Sequence, residues 1–200
     1  MTLDQFRPHV QGIVQPVVNL TRKLGLTPNG LSVASFFVSI LAGIAFYAGG
    51  VVLGVVMVAL NAVFDALDGA LARDMGVASP RGDFLDHVID RYADIFIITG
   101  IFAGGAAPWP IGVFALTGVL MSSYLGTQAQ AVGVGRYYGG ILGRADRLVL
   151  IMIAGALTVL IPGEIYGLNY LGWLLVIFGI FGHYTAFQRF AHVWRNIGDL

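Results

Sequence analysis

The chain reads as an all-α integral membrane protein, six transmembrane helices preceded by a short amphipathic interfacial helix, with both termini cytoplasmic. Three observations predict this. Of 200 residues, 57% are hydrophobic and only 11% charged, against roughly 25% charged in a soluble domain, and mean hydropathy is +0.81. Apolar runs of about the 20 residues that a bilayer crossing needs alternate with Gly and Pro breaks. Counted on six spans with the N-terminus inside, all eleven basic residues fall on one side, the sorting by which Lys and Arg collect in cytoplasmic loops.

Each element follows in order. In residues 1–25, Leu3, Phe6, Val10, Ile13, Val14, Val17 and Val18 recur at helical spacing with Arg7, His9 and Gln11 between them, the pattern of a helix lying on the membrane interface. Leu26-Thr27-Pro28 then turns the chain inward, and residues 26–190 form the six-helix bundle, a single domain spanning 1–200 with its interfacial helix. Residues 24–64 hold no charge, enough for one complete span and most of a second, with Gly49-Gly50 as the turn. The second helix runs from about Val51 into Asp65 and Asp68. The third begins with Asp86, Asp90 and Asp94 and turns apolar from Ile95 to Ala103. After the break at Gly104–Pro110 the fourth runs from about Ile111 to Ala131, a Gly-rich loop reaches Gly143, and the fifth covers about Leu148 to Ile161. Pro162-Gly163 ends it, and the sixth runs from about Tyr166 to Gln188.

Composition also excludes. There is no cysteine, so disulfides, zinc thiolates and cysteine nucleophiles are out. Net charge is zero and no basic face is interleaved with aromatics, so nucleic acid is not an expected partner. The opening residues are too polar for a signal peptide, so insertion is expected to use the first internal span.

Against this apolar background seven aspartates (Asp65, Asp68, Asp74, Asp83, Asp86, Asp90 and Asp94) fall within thirty residues. One carboxylate at mid-bilayer costs roughly 2.5 to 3.5 kcal/mol on an insertion scale, so the cluster calls for a counter-charge. Asp65 and Asp68 are spaced i, i+3 and Asp86 and Asp90 i, i+4, so each pair shares one helix face. Two such faces turned inward bring four carboxylates together. Oxygen-only donors, with no histidine or thiol expected among them, suit Mg²⁺ or Mn²⁺ before Ca²⁺ or zinc, as one or two ions. Gly69 and Gly82 let a ligand approach the backbone, and Arg73 adds a guanidinium fork on the face of Gly69. Ion pairing with Arg73, Arg81 and Arg91 alone would leave an acidic excess. Asp74 and Asp83 are expected in the connecting loop, and Asp94 is expected to pair with Arg91 or a more distant arginine. Carboxylates, divalent metal, glycine and arginine together suit a phosphoanhydride substrate.

The run Asp65-x2-Asp68-Gly69-x2-Ala72-Arg73-x8-Gly82-x3-Asp86-x3-Asp90 resembles, over all eight fixed positions, the signature of the CDP-alcohol phosphotransferases. The resemblance implies a six-helix membrane enzyme, homodimeric as such enzymes usually are, that displaces CMP from a CDP-linked lipid with an alcohol, phospholipid biosynthesis at the cytoplasmic face of the cell membrane. It implies Asp65, Asp68, Asp86 and Asp90 as metal ligands, Asp90 as the catalytic base on the acceptor hydroxyl, and Gly69 and Arg73 against the CDP diphosphate. Asn29, Ser32 and Ser79 fall where that family approaches its nucleotide, although Asn29 equally suits a helix cap.

For the acceptor, Arg144, Arg147 and Arg189 are enough to hold a phosphate, and helix-end anchoring is the alternative. Their pattern resembles the branch of the family that uses inositol phosphate, a phosphorylated polyol. That branch usually carries a Lys after Ser-Tyr near the end of the fourth helix, whereas Ser123-Tyr124 is followed here by neutral residues including Gln128 and Gln130. Glycerol 3-phosphate or serine are the rival acceptors. A small divalent-cation transporter is the rival class, opposed by apolar outer helix halves and by the lack of any role for Gly69 and Arg73.

Overall fold

The computed structural model describes residues 7–198, with side chains from Gln15 onward. Leu3 and Phe6, and the side chains of Val10, Ile13 and Val14, lie outside the described residues. Seven helices are present among the described residues: α1 (Arg7–Lys23), α2 (Pro28–Tyr47), α3 (Val51–Asp74), α4 (Pro80–Ala103), α5 (Trp109–Ala131), α6 (Arg144–Leu160) and α7 (Tyr170–Asn196).

Four of these, α2, α3, α5 and α7, are long and apolar enough to cross a membrane. The other two expected spans fall short of that measure for different reasons. Helix α4 carries Arg81, Asp83, Asp86, Asp90, Arg91 and Asp94, and α6 has 17 residues. Both nonetheless pack within the same bundle. Its six helices form a closed ring, α2 against α3 and α4, α3 against α6, α6 against α7, α7 against α5 and α5 against α4, with α1 laid on α3.

Small residues set how closely these helices approach, as expected where van der Waals packing rather than water expulsion drives association. A Cβ on Gly100 of α4 would run into the backbone of Gly43 on α2, and one on Gly104 into the carbonyl of Phe46. The α5–α7 contact is built the same way around Gly118, Gly179 and Gly182. Ala42, Phe46, Ile97, Ile101, Val119, Leu175 and Phe178 fill the core between them.

Several boundaries differ from those read off the sequence. Thr27, not Asn29, caps α2, its hydroxyl accepting from Gly30 N at 3.1 Å. Helix α6 starts at Arg144, earlier than Leu148. Helix α7 starts at Tyr170, not Tyr166, because Tyr166 and Gly167 adopt positive φ (53° and 75°) in a tight turn and Asn169 then caps the helix through Gly172 N at 2.9 Å. It also runs on to Asn196, past Gln188. Asp74 and Asp83 are not loop residues: one ends α3 and the other lies in the first turn of α4.

The ring brings the α2 and α4 N-termini, the α3 C-terminus and the α6 N-terminus to one end, with Arg136 and Arg189 beside them. The loop between α6 and α7 at the other end holds Glu164.

Candidate active site

Helices α3 and α4 deliver the carboxylates because each presents its aspartates on the inward side near the shared end. Asp68 and Asp90 are 6% and 7% exposed, while Asp65 and Asp86 are half-buried. Asp68 accepts a hydrogen bond from Ser32 Oγ of α2 at 2.5 Å, which sets Ser32 against the carboxylates. Asp65 and Asp90, from different helices, share one guanidinium: Arg144 Nη1 donates to Asp65 Oδ1 and lies against Asp90 Oδ1. Asp86 and Asp90 bring ligand atoms within 4.8 Å of each other, and Asp68 follows Asp65 by three residues on α3. The four motif aspartates therefore form one group.

The donor set fits a hard divalent cation. Of the four carboxylates, Asp65 and Asp90 share the Arg144 guanidinium, and Arg91 Nη2 reaches Asp90 only at 3.5 Å. Two of the four are buried where an uncompensated charge costs several kcal/mol. The histidine-free expectation is corrected, however. His87 lies beside the site, its Nδ1 3.9 Å from Asp86 Oδ2, and Asp86, His87 and Asp90 each offer one ligand atom within 4.8 Å of the others.

The remaining nucleotide-side candidates sit along the exposed edge. Arg73 folds its guanidinium back over Gly69, such that a Cβ there would meet Arg73 Nη1 at 3.3 Å. Ser79 caps α4, accepting from Gly82 N at 3.2 Å, so its hydroxyl has a structural task. Asn29 is exposed and points across to the start of α4, its Oδ1 3.7 Å from where a Gly82 Cβ would lie.

The three arginines separate into two kinds. Arg144 and Arg147 enter from the N-terminus of α6 and meet carboxylates, Arg147 Nη2 donating to Asp94 Oδ2 at 2.8 Å. Their Nε atoms, and Arg144 Nη2, are buried without a hydrogen-bond partner among the described residues. Arg189 instead spends its guanidinium on main-chain carbonyls, of Ser122 at 2.6 Å, Gly139 at 2.8 Å and Tyr138 at 3.4 Å. It holds the α5–α6 loop onto α7, helped by Tyr137 stacked on His192 at 3.8 Å.

The outer aspartates draw their partners mainly from distant segments, and only Asp94 also meets a nearby arginine, Arg91. Asp74 accepts from Gln15 at 3.0 Å and Arg22 at 3.4 Å, and Asp94 faces Arg147 as well as Arg91 at 3.8 Å. Asp83 takes both Nη groups of Arg136, at 2.7 and 3.0 Å, and this carboxylate pushes the Arg136 guanidinium further above its ordinary pKa. Arg136 Nε also reaches Gln130 at 3.2 Å. A basic side chain thus does approach the end of α5, supplied by the following loop rather than by the helix. His87 and Arg136 were missed in the sequence. His87 could have been found, since it stands three residues before Asp90, on the same helix side.

Known proteins bear on this site. An archaetidylinositol phosphate synthase from Pyrococcus horikoshii is 36% identical over 175 residues, 88% of this chain and 93% of that protein. One from Methanothermobacter thermautotrophicus is 30% identical over 98% of this chain and 95% of its own length. The fold matches phosphatidylinositol phosphate synthase of Mycobacterium tuberculosis with CDP-DAG bound, at TM-score 0.80, 24% identity and coverage of 93% and 96%. The same protein in complex with manganese and citrate also matches, at TM-score 0.80 and 24% identity, covering 92% of this chain and 90% of that one. Residues 25–183 match the CDP-alcohol phosphatidyltransferase family, so the chain that folds its eight-position motif into this buried carboxylate site is an enzyme of that family.

Proposed function

We propose that the protein transfers a phosphatidyl-type group from a CDP-activated lipid to a hydroxyl of inositol phosphate, releasing CMP. The observation that supports the acceptor most directly is the pair of α6 arginines, buried and aimed at the aspartates, with guanidinium N–H groups that find no hydrogen-bond partner among the described residues. Leaving such a donor unpaired costs about 1 to 3 kcal/mol, and an acceptor phosphate would satisfy it. Both curated relatives described above are synthases of an inositol phosphate lipid.

In this reading Asp65, Asp68, Asp86 and Asp90 hold one or two Mg²⁺ or Mn²⁺ ions, and Ser32 orients Asp68. When bound, the divalent cation neutralises diphosphate oxygens. Arg73 and the open backbone at Gly69 bind the CDP diphosphate, with Asn29, and more remotely Ser79, on the nucleotide side. Asp90 accepts the acceptor hydroxyl proton as that oxygen attacks the lipid-side phosphorus. The bond from this phosphorus to the bridging oxygen breaks, and CMP leaves with that oxygen. Arg144 and Arg147 position the acceptor phosphate, and Arg189 shapes the loop above it. The collection of basic residues at this end supports a cytoplasmic site in a six-span, multi-pass protein of the cell membrane, and family resemblance supports a homodimer.

The test is purified protein with a CDP-lipid, Mg²⁺ or Mn²⁺, and a panel of inositol phosphate, glycerol 3-phosphate, serine and inositol, followed by CMP release. Release with inositol phosphate is expected. Release only with serine would remove the phosphate pocket, and release with no acceptor of the panel would sink the proposed reaction.

A further inference from the structure

We infer that His87 is a nitrogen donor to the aspartate cation site and sets its preference toward Mn²⁺ over Mg²⁺, an inference that rests on the cation site proposed above. The geometry starts from helix periodicity. Asp86 and Asp90, at i and i+4, share one face of α4, and His87, three residues before Asp90, borders that face. Its Nδ1 is buried and without a hydrogen-bond partner among the described residues, although an imidazole nitrogen in a polar site ordinarily finds one. It lies 3.9 Å from Asp86 Oδ2. Two ligands that each stand about 2.1 Å from one ion are separated by about 3 to 4.2 Å, so that spacing suits a shared cation. Asp86, His87 and Asp90 together offer ligand atoms that all lie within 4.8 Å of one another.

The chemical consequence follows from donor type. Mg²⁺ is a hard ion that keeps oxygen ligands and dehydrates reluctantly, whereas imidazole suits transition metals, and affinity for nitrogen sites rises from Mn²⁺ along the first row. An imidazole added to three or four carboxylates therefore leaves Mg²⁺ little changed and favours Mn²⁺. The other described histidines are placed elsewhere: His183 stacks on Phe114 and His192 on Tyr137.

Mn²⁺ binding is measured without lipid, nucleotide or acceptor. Pulsed EPR of Mn²⁺ bound to full-length wild type, grown with ¹⁴N- or ¹⁵N-histidine, is expected to show a histidine nitrogen coupling that changes with the isotope and vanishes in His87→Gln. Calorimetric titration of both proteins with Mn²⁺ and Mg²⁺ is expected to show the ratio of the two affinities falling about tenfold in the variant. If His87→Gln fails to fold, the isotope comparison on wild type alone decides. Bound Mn²⁺ with no nitrogen coupling overturns the inference and leaves the carboxylate site standing; a wild type that binds no divalent cation overturns both.

Discussion

Replacing Asp94 with Asn should destabilise the protein strongly, because it removes the charge opposite a buried arginine. Asp94 and Arg147 meet at 2.8 Å with side chains 5% and 3% exposed, so solvent screening does not discount the pair as it would on a surface. Asn keeps the shape and removes the charge. It strands Arg147, whose Nε already lacks a hydrogen-bond partner among the described residues, and weakens the balance at Arg91. Breaking one side of a buried pair costs about 3 to 5 kcal/mol. At about 2 to 4 °C per kcal/mol for a chain of this size, the midpoint should fall by about 10 °C. The double variant Asp94→Asn/Arg147→Met removes the stranded charge as well and should recover most of the loss. Thermal unfolding in detergent, followed by circular dichroism and by the surviving monodisperse fraction at one fixed heating rate, measures both. A single variant within about 1 kcal/mol of wild type, or a double variant no better than the single, would refute the reasoning. The double variant also separates packing from binding, since it should regain stability while the KM for the phosphorylated acceptor rises.

Three further outcomes are expected. Asp90→Asn should lower turnover by about 10² to 10⁴, the range of a general base, while CDP-lipid binding measured by calorimetry stays within a few-fold of wild type; retained turnover would remove Asp90 as the base. Gly100→Ala, whose Cβ meets the Gly43 backbone, should prise α2 from α4, cost about 1 to 3 kcal/mol and lower activity by shifting Ser32, and the Asp68 of α3 bonded to it, away from the α4 carboxylates. Thermal unfolding unchanged from wild type would contradict that close approach. Arg136→Ala removes an ion pair that is partly exposed on both sides and should change global stability by less than about 1 kcal/mol. Limited proteolysis should nonetheless cut faster between Val132 and Gly143, and an unchanged cleavage rate would mean that the pair does not tether this loop.

Much of the site was legible because it is local. The pairs Asp65/Asp68 and Asp86/Asp90 are set by helical periodicity within two segments, and the adjacent Gly69 and Arg73 follow from the same turn of α3. Helices α2 to α5 were legible for a similar reason, since long apolar runs end at glycine and proline. The α7 start was misplaced because the Ile165–Leu168 turn is as apolar as a helix and has no proline to mark it. His87 was passed over because the cation site was framed by its oxygen donors.

Sequence by itself determined the membrane class, the helical content, and the placing of four carboxylates on two helix faces, all of which depend on composition and on spacings of three or four residues. Only the tertiary structure decided which charges meet. Arg22 finds Asp74 across 52 residues, Arg136 finds Asp83 across 53, Arg147 finds Asp94 across 53 and Arg144 finds Asp65 across 79. None of these partners is the neighbouring Arg73 or Arg81 that the linear order offered. The reason is physical: helices pressed together at Gly43, Gly100, Gly118 and Gly182 bring distant segments to one end of the bundle, where buried charges find their partners across helices.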